Sequence, residues 1–363
     1  LIVAFVYADT FKEYNCSKHN CVIRANAINR LPNHEAYLIH ITEFAKNSPE
    51  TITICDKADI IVIERNLFED ALTILMFWKV RRKPIVAIFD DAYDKMLPTN
   101  VTYEFWTNGK ITGINDKGET VDGEMLPKPL TQLKWGLRNC KALIVPSVRL
   151  AEDWSKYTQT YHIPNNLEIK KYENVEPLFP HNGIYIGWAG SLSHLASFVD
   201  SGLNIALSRV LQKHDNVKLL IGGDKRVFDA IDLPEDKKVF TNFVPEANWF
   251  KLLKSMDVGL APLGDTYDER RSWIKALEYM ILKIPFVASD IITYDALKPY
   301  GVFVKNSEED WETELDKMVN NLSKYKKIAS GAPYEFAKAQ DIDANIEKIL
   351  KVFQEIIDKP DEL

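Results

Sequence analysis

The strongest constraint on this chain is a pattern that runs, stops and starts again. From the beginning, short apolar segments rich in β-branched and aromatic residues alternate with stretches of helical periodicity. The apolar runs are IVAFVYA, YLIHI, TITIC, ADIIVIE, PIVAIFDD and ALIVPS; the helical stretches lie near Asn20 to Leu31, Phe68 to Lys79, Leu130 to Asn139 and Val148 to Tyr157. Such alternation builds a parallel sheet covered by helices on both faces. It ends at ENVEPLFPHNG, where Pro177 and Pro180 favour extended backbone. A second series opens with GIYIGWAG and continues through a helix near Leu195 to His214, VKLLIGG, VFTNFV, a helix from Glu246 to Ser255, VGLAPL, a helix after Asp268, PFVAS and GVFVK.

A restarted series predicts two doubly wound, Rossmann-like α/β domains instead of one large sheet. The length of 363 residues agrees, because a single core stops growing at about 250 to 300 residues. The expected division is residues 1–172, residues 173–340, and a last helix in 341–363 that returns to the first domain. That helix, IDANIEKILKVFQEIID, places Ile342, Ile346, Ile349, Leu350 and Phe353 on one side. A hairpin excursion is expected near 101–125, where TNGKITGINDKGETVDG carries Asn-Gly, Lys-Gly and Asp-Gly turns. Ligands of open α/β sheets sit beyond the carboxyl ends of the strands, so two such domains are expected to face each other across a binding cleft.

Charge and cysteine usage narrow the function. A net charge of -7 without long Lys/Arg blocks argues against binding along a nucleic acid. Cys16, Cys21, Cys55 and Cys140 are too few for a disulfide framework and complete no zinc pattern. They are expected to be reduced and buried. The seven histidines show no paired ligand spacing, so no metal is expected. Leu1 to Ala8 is apolar but lacks a basic leader and soon meets Asp9, Lys12 and Glu13; it reads as a core strand. A cytoplasmic location is the simplest expectation, with peripheral membrane contact leaving no trace at this level.

The richest chemistry lies in DVGLAPLGDTYDERRSWIKALEYMILKIPFVASD, Asp257 to Asp290. A helix starting near Asp268 to Arg270 would put Arg271, Lys275 and Glu278 at i, i+4 and i+7 on one face. Two cations near a helix N-terminus, after a strand and a loop with Gly264, suit a diphosphate, and a carboxylate one turn on suits ribose hydroxyls. The same spacing suits an exposed salt-bridge ladder. In IGWAGSLSH, Gly187 and Gly190 let backbone amides and Ser191 approach a phosphate, or simply turn the chain into a helix. Gly222 to Asp224 closes another strand. Asp90, Asp91 and Asp94 follow PIVAIF, while Ser17, His19, Asn20 and Arg24 follow the first strand; both groups read equally well as acceptor contacts or as structural and capping residues. Ser147 reads as a helix cap.

KALEYM followed by IPFVASD resembles the nucleotide-sugar motif of retaining GT-B glycosyltransferases, the family-4 or group 1 glycosyltransferases. The resemblance implies transfer of a sugar from a nucleoside-diphosphate sugar to an acceptor hydroxyl, with retention and without metal or other cofactor. It implies Arg271 and Lys275 at the diphosphate as the catalytic cations, and Glu278 at the ribose. Gly190, Ser191, His194, Gly222, Ser272 and Tyr279 would be further donor contacts. His19, Arg24, Asp90 and Asp91 would lie on the acceptor side. Relatives often carry a second glutamate eight positions before the ribose one; here that position is Arg270, leaving Asp265, Asp268 or Glu269 as substitutes. A sugar-nucleotide epimerase or hydrolase, or a non-catalytic nucleotide-sugar binder, is the alternative.

Overall fold

The computed structural model describes residues 1–10, 15–114, 118–264 and 266–360. The chain forms two compact units, one of Leu1–Asn166 with Ile342–Leu363 and the other of Leu167–Asp341.

In the first unit, strands β1 (Ile2–Tyr7), β2 (Glu35–His40), β3 (Ile60–Glu64) and β4 (Ile85–Ile88) are followed by a hairpin, β5 (Lys110–Ile114) and β6 (Thr120–Glu124). Strands β7 (Ala142–Val145) and β8 (Thr160–His162) then complete the unit. The six-stranded sheet runs β2-β1-β3-β4-β7-β8, parallel throughout, and β5-β6 stands apart as an antiparallel pair. Strands with both faces covered need apolar residues at every position, and Ile60 to Ile63 are all fully buried. Alternate residues Val3, Phe5, Ile60, Val62, Val86, Ile88, Ala142 and Ile144 share one core with Ile342, Ile346, Ile349 and Phe353 of the last helix, Ile342–Asp358. That helix therefore closes one face of the first sheet.

TITIC is not the strand that its β-branched residues suggest; it lies inside the helix Pro49–Lys57. Ser48 caps this helix by accepting a hydrogen bond from Thr51 N at 3.3 Å, and Pro49 pre-sets its first turn. Thr51 and Cys55, one turn apart, supply its buried side. Capping and a four-residue apolar spacing override intrinsic propensity here.

In the second unit, β9 (Ile184–Gly190), β10 (Val217–Gly223), β11 (Lys238–Thr241), β12 (Val258–Ala261), β13 (Phe286–Ser289) and β14 (Val302–Val304) form a parallel sheet. Its order is β11-β10-β9-β12-β13-β14. The order reverses between β9 and β12, the switch point where a doubly wound sheet opens a crevice at its carboxyl edge. Successive residues of β10 face different cores, Leu219 and Ile221 on one side and Leu220 on the other. The helix expected across Leu195 to His214 is two helices, Leu195–Asp200 and Leu203–Lys213. They part at Gly202, whose φ of 77° is left-handed.

The proline-marked stretch packs with the second unit, through Val175, Leu178 and Phe179. The chain's two passages between units run side by side: Leu167 and Asp341 form a parallel bridge, and Leu167 N donates to Gln340 O at 3.1 Å. No described helix is long and apolar enough to cross a membrane.

Candidate functional site

The carboxyl end of β9 carries the second unit's concentration of polar chemistry. The strand ends at Gly190, and the segment Ser191 to His194 makes a single tight turn before the next helix. A side chain at Gly190 would collide with the Trp188 ring and come within 3.4 Å of Lys275 Nζ. The neighbouring strand β10 ends at Gly223, with φ at 114°. A Cβ there would run into the Gly190 carbonyl oxygen, and Asp224 N reaches that oxygen at 3.4 Å. The two glycines thus let the ends of β9 and β10 lie against each other. Gly222 is different: it is buried, and its α-carbon faces Leu252 and Ala189. The structure places Gly222 in the packing beneath the site, a correction to its expected role as a donor contact.

The expected single helix face for Arg271, Lys275 and Glu278 is also corrected. A short 3₁₀ turn, Asp268–Arg270, comes first, Arg271 is extended at φ -70°, ψ 171°, and the α-helix spans Ile274–Ile281. Asp268 explains the break. Its buried carboxylate accepts from Gly264 N and Ser197 Oγ, each at 2.7 Å, and pairs with Arg271 Nε at 2.7 Å. Those bonds hold the chain out of helical geometry and aim Arg271 toward the β9 turn. There Arg271 donates to His194 Nε2 at 2.9 Å and to Ser193 O at 3.1 Å.

Lys275, on the first turn of the helix, reaches the same place from another direction. It donates to Ala189 O and lies 4.9 Å above the Trp188 ring. Burial, with Glu278 opposing it and Arg271 adding to it, brings its pKa down to about 8. Burial, then Arg271 and Lys275, hold the His194 imidazole well below its ordinary range. Neutral His194 therefore accepts from Arg271 through Nε2 and carries its proton on Nδ1, a buried atom. Arg271, Lys275, His194, Gly190 and Ser191, predicted separately along the sequence, are brought together. Ser191 Oγ lies 2.9 Å from Ser193 Oγ within the turn, and Ser272 is half-buried between Arg271 and the helix.

Glu278 is buried one turn further along the helix. Its Oε1 accepts from the Tyr172 hydroxyl at 3.0 Å and from Trp249 Nε1 at 2.8 Å. Tyr279 does not reach the site. It is fully buried, donates to Leu260 O at 3.0 Å and fills the space that Gly259 leaves open. Among the substitutes for the missing glutamate, Asp268 is engaged as described. Glu269 pairs with Arg270 at 2.9 Å. Asp265 lies outside the described residues.

In the first unit, the ends of β1, β3 and β4 collect a second polar cluster. Fully buried Glu64 accepts from Ala8 N at 2.8 Å, from Ser17 Oγ, and from Asn20 Nδ2 at 3.2 Å. Arg65 pairs with Asp9 and, at 3.4 Å, with Glu64. Lys18–Val22 form a π-helical turn, a distortion common at functional sites. Burial, then Asp91 and Glu64, push Asp90 up to about 7, and buried Arg24 is brought down to about 10 by burial. Cys16 Sγ and carboxylate oxygens of Asp90 and Asp91 lie within 4.8 Å of one another. The Arg65 guanidinium offsets only part of the negative charge that Asp91 and Glu64 place on Asp90. His19 is half-exposed near this cluster in sequence, on the same turn as Asn20.

Sequence reading missed Glu64, which looked like the last residue of an apolar strand, and it missed Trp249 and Tyr172. A carboxylate ending a run as apolar as ADIIVI is the one available signal for Glu64, since an uncompensated charge at such a position is costly.

Residues 183–321 match the family model described as "Glycosyl transferases group 1". The whole chain superposes on solved GT-B structures. The chain has the GT-B fold. One similar structure is Anabaena HepE in complex with UDP and glucose, at TM-score 0.62 and 12% identity over 98% of this chain and 99% of that one. Sucrose-phosphate synthase from Thermosynechococcus elongatus aligns at TM-score 0.60 and 11% identity, covering 98% of each chain. A putative UDP-N-acetylglucosamine 2-epimerase from Listeria monocytogenes aligns at 0.58 and 11%, over 100% of this chain and 99% of that one. No curated protein matches the sequence. In this GT-B chain the residues from Ile184 to Asp290 that form the polar cluster fall inside the matched family segment.

Proposed function

We propose that this GT-B protein transfers a sugar from a nucleoside-diphosphate sugar to an acceptor hydroxyl, with retention of configuration. The observation that carries the proposal is the convergence of Arg271, Lys275 and neutral His194 on the glycine-lined end of β9. The hard step in such a transfer is departure of the nucleotide, when negative charge grows on the leaving phosphate. Fixed cations stabilise that charge without reorganising. Arg271 is held in place by Asp268, and Lys275 by the Ala189 carbonyl, so both are oriented before a donor arrives. Glu278 receives the ribose. Because two side-chain cations serve the diphosphate, no metal is needed there. The acceptor side is assigned to Asp90 and Asp91, with Arg24 and His19, and the protein is proposed to work in the cytoplasm.

A nucleotide-release screen over common UDP-, GDP- and ADP-sugars, with and without candidate acceptors, tests the proposal. Lys275→Ala should lower turnover on the order of 10²-fold or more, and a near-normal rate in a folded variant would sink the assignment. Nucleotide affinity should survive excess chelator. The structural likeness to a putative UDP-N-acetylglucosamine 2-epimerase supports a second reading, in which the sugar nucleotide is altered without an acceptor. Conversion of donor in the absence of any acceptor would select it.

A further inference from the structure

A carboxylate oxygen has two lone pairs, and in Glu278 one oxygen already has both engaged. Oε1 accepts from the phenolic hydroxyl of Tyr172 at 3.0 Å and from the indole N–H of Trp249 at 2.8 Å. Among the described residues no hydrogen bond reaches Oε2. The two donors come from different parts of the fold. Tyr172 ends the short 3₁₀ turn Ile169–Tyr172, just after the chain enters the second unit, and its ring packs edge-on against Phe250 at 4.5 Å. Trp249 lies on the helix Glu246–Lys254, next to Phe250. Each is held by its own packing: both are part of, or packed against, the core that contains Leu277 and Met280 of the Glu278 helix. Such a clamp fixes the carboxylate in one rotamer and commits one oxygen before any ligand arrives.

We infer that Tyr172 and Trp249 are positioning residues that saturate Oε1 of Glu278 and leave Oε2 alone to receive the ribose hydroxyls of a nucleotide. This rests on the reading of Glu278 as the ribose residue. Neither aromatic side chain needs to touch the nucleotide. A pinned carboxylate accepts from the ribose without first losing rotamer freedom, and that is a gain in affinity specific to ligands carrying the hydroxyls. Removing one pinning donor frees Oε1 to rotate toward solvent. It should cost affinity for nucleotides and leave affinity for the bare diphosphate alone, because pyrophosphate meets only Arg271, Lys275 and the β9 turn.

The test measures binding of UDP, GDP and ADP to the full chain by titration calorimetry, then takes the tightest of the three forward with its 2′-deoxy analogue and with inorganic pyrophosphate. Tyr172→Phe and Trp249→Phe should each weaken the ribonucleotide about 5- to 10-fold, the upper part of the range for one ordinary hydrogen bond. Each should leave the 2′-deoxy analogue and pyrophosphate within about 2-fold of the parent. Equal weakening of ribonucleotide and pyrophosphate would show that the aromatic pair only supports the fold, and overturns the inference. So would unchanged ribonucleotide affinity in both variants. Two substitutions are used because the Tyr172 hydroxyl and the Trp249 ring sit in different packing environments, and either alone decides the outcome if the other fails to fold. Should the parent bind none of the three nucleotides, the donor-site reading itself falls and takes this inference with it; should it bind them while Glu278→Gln has no effect, only the ribose assignment falls.

Discussion

At the scale of single residues, the lysine whose charge matters most is also the one whose charge is hardest to keep. Burial brings Lys275 down to about 8, so it is protonated below that pH and becomes neutral above it. Affinity for a nucleoside diphosphate should thus be flat up to about neutrality and fall as pH rises through about 8, approaching about tenfold per pH unit. Lys275→Arg should bind without that decline, because a guanidinium stays charged throughout. Calorimetric titration from pH 6.5 to 9.5 checks both, and an identical decline in the two proteins would place the titrating group elsewhere. Most of this chemistry was legible in the sequence. Arg271, Lys275 and Glu278 stand in one recognisable phrase and Gly190 in the strand end IGWAG, and Arg271, Lys275 and Gly190 lie where strand ends and a helix start converge. Tyr279 belongs to that phrase and Gly222 to the end of β10, yet both serve packing, since a motif records which residues recur and not which of them face the ligand. Tyr172 and Trp249 were illegible for a different reason. Their partner is 106 and 29 positions away, and no local pattern encodes a contact at that range.

Elements were read well where periodicity and length agree, as in the strands of the second sheet and the last helix. They were misread where a local device overrides the pattern. TITIC has the composition of a strand, but Ser48 and Pro49 start a helix through it. The helix carrying Lys275 starts later than its charges suggest, because buried Asp268 draws three partners to itself. The junction of β9 with β10 depends on glycine more than any other part of the sheet. At Gly223, φ of 114° strains an L-residue, and a Cβ would meet the Gly190 carbonyl besides. Gly223→Ala should destabilise the second unit by on the order of 2 kcal/mol and weaken nucleotide binding together with stability. Gly113→Ala, in the exposed hairpin with open space around it, should do neither. Chemical denaturation of the two variants, read beside UDP titration, separates them; equal stability would remove the close-approach argument.

For the whole molecule, the unit boundaries matter more than the count of units. Phe353 is fully buried against the first sheet, with its ring 6.1 Å from Phe5. Phe353→Ala should cost about 3 to 5 kcal/mol, lowering the melting of the first unit while nucleotide affinity of the folded protein stays unchanged. Scanning calorimetry with and without nucleotide checks this: ligand should raise the transition of the second unit only, and a joint fall of both would mean that the units melt as one. The paired passage at Leu167 and Asp341 has a consequence for how the chain is made. The second unit is inserted into the first, so synthesis from the amino end delivers every residue of the second unit before the helix that completes the first. Until Ile342–Asp358 emerges, the face of the first sheet that it covers stands open to water. The half of the protein translated earliest is therefore the last able to finish folding, and it is the half for which a holding chaperone has most to offer.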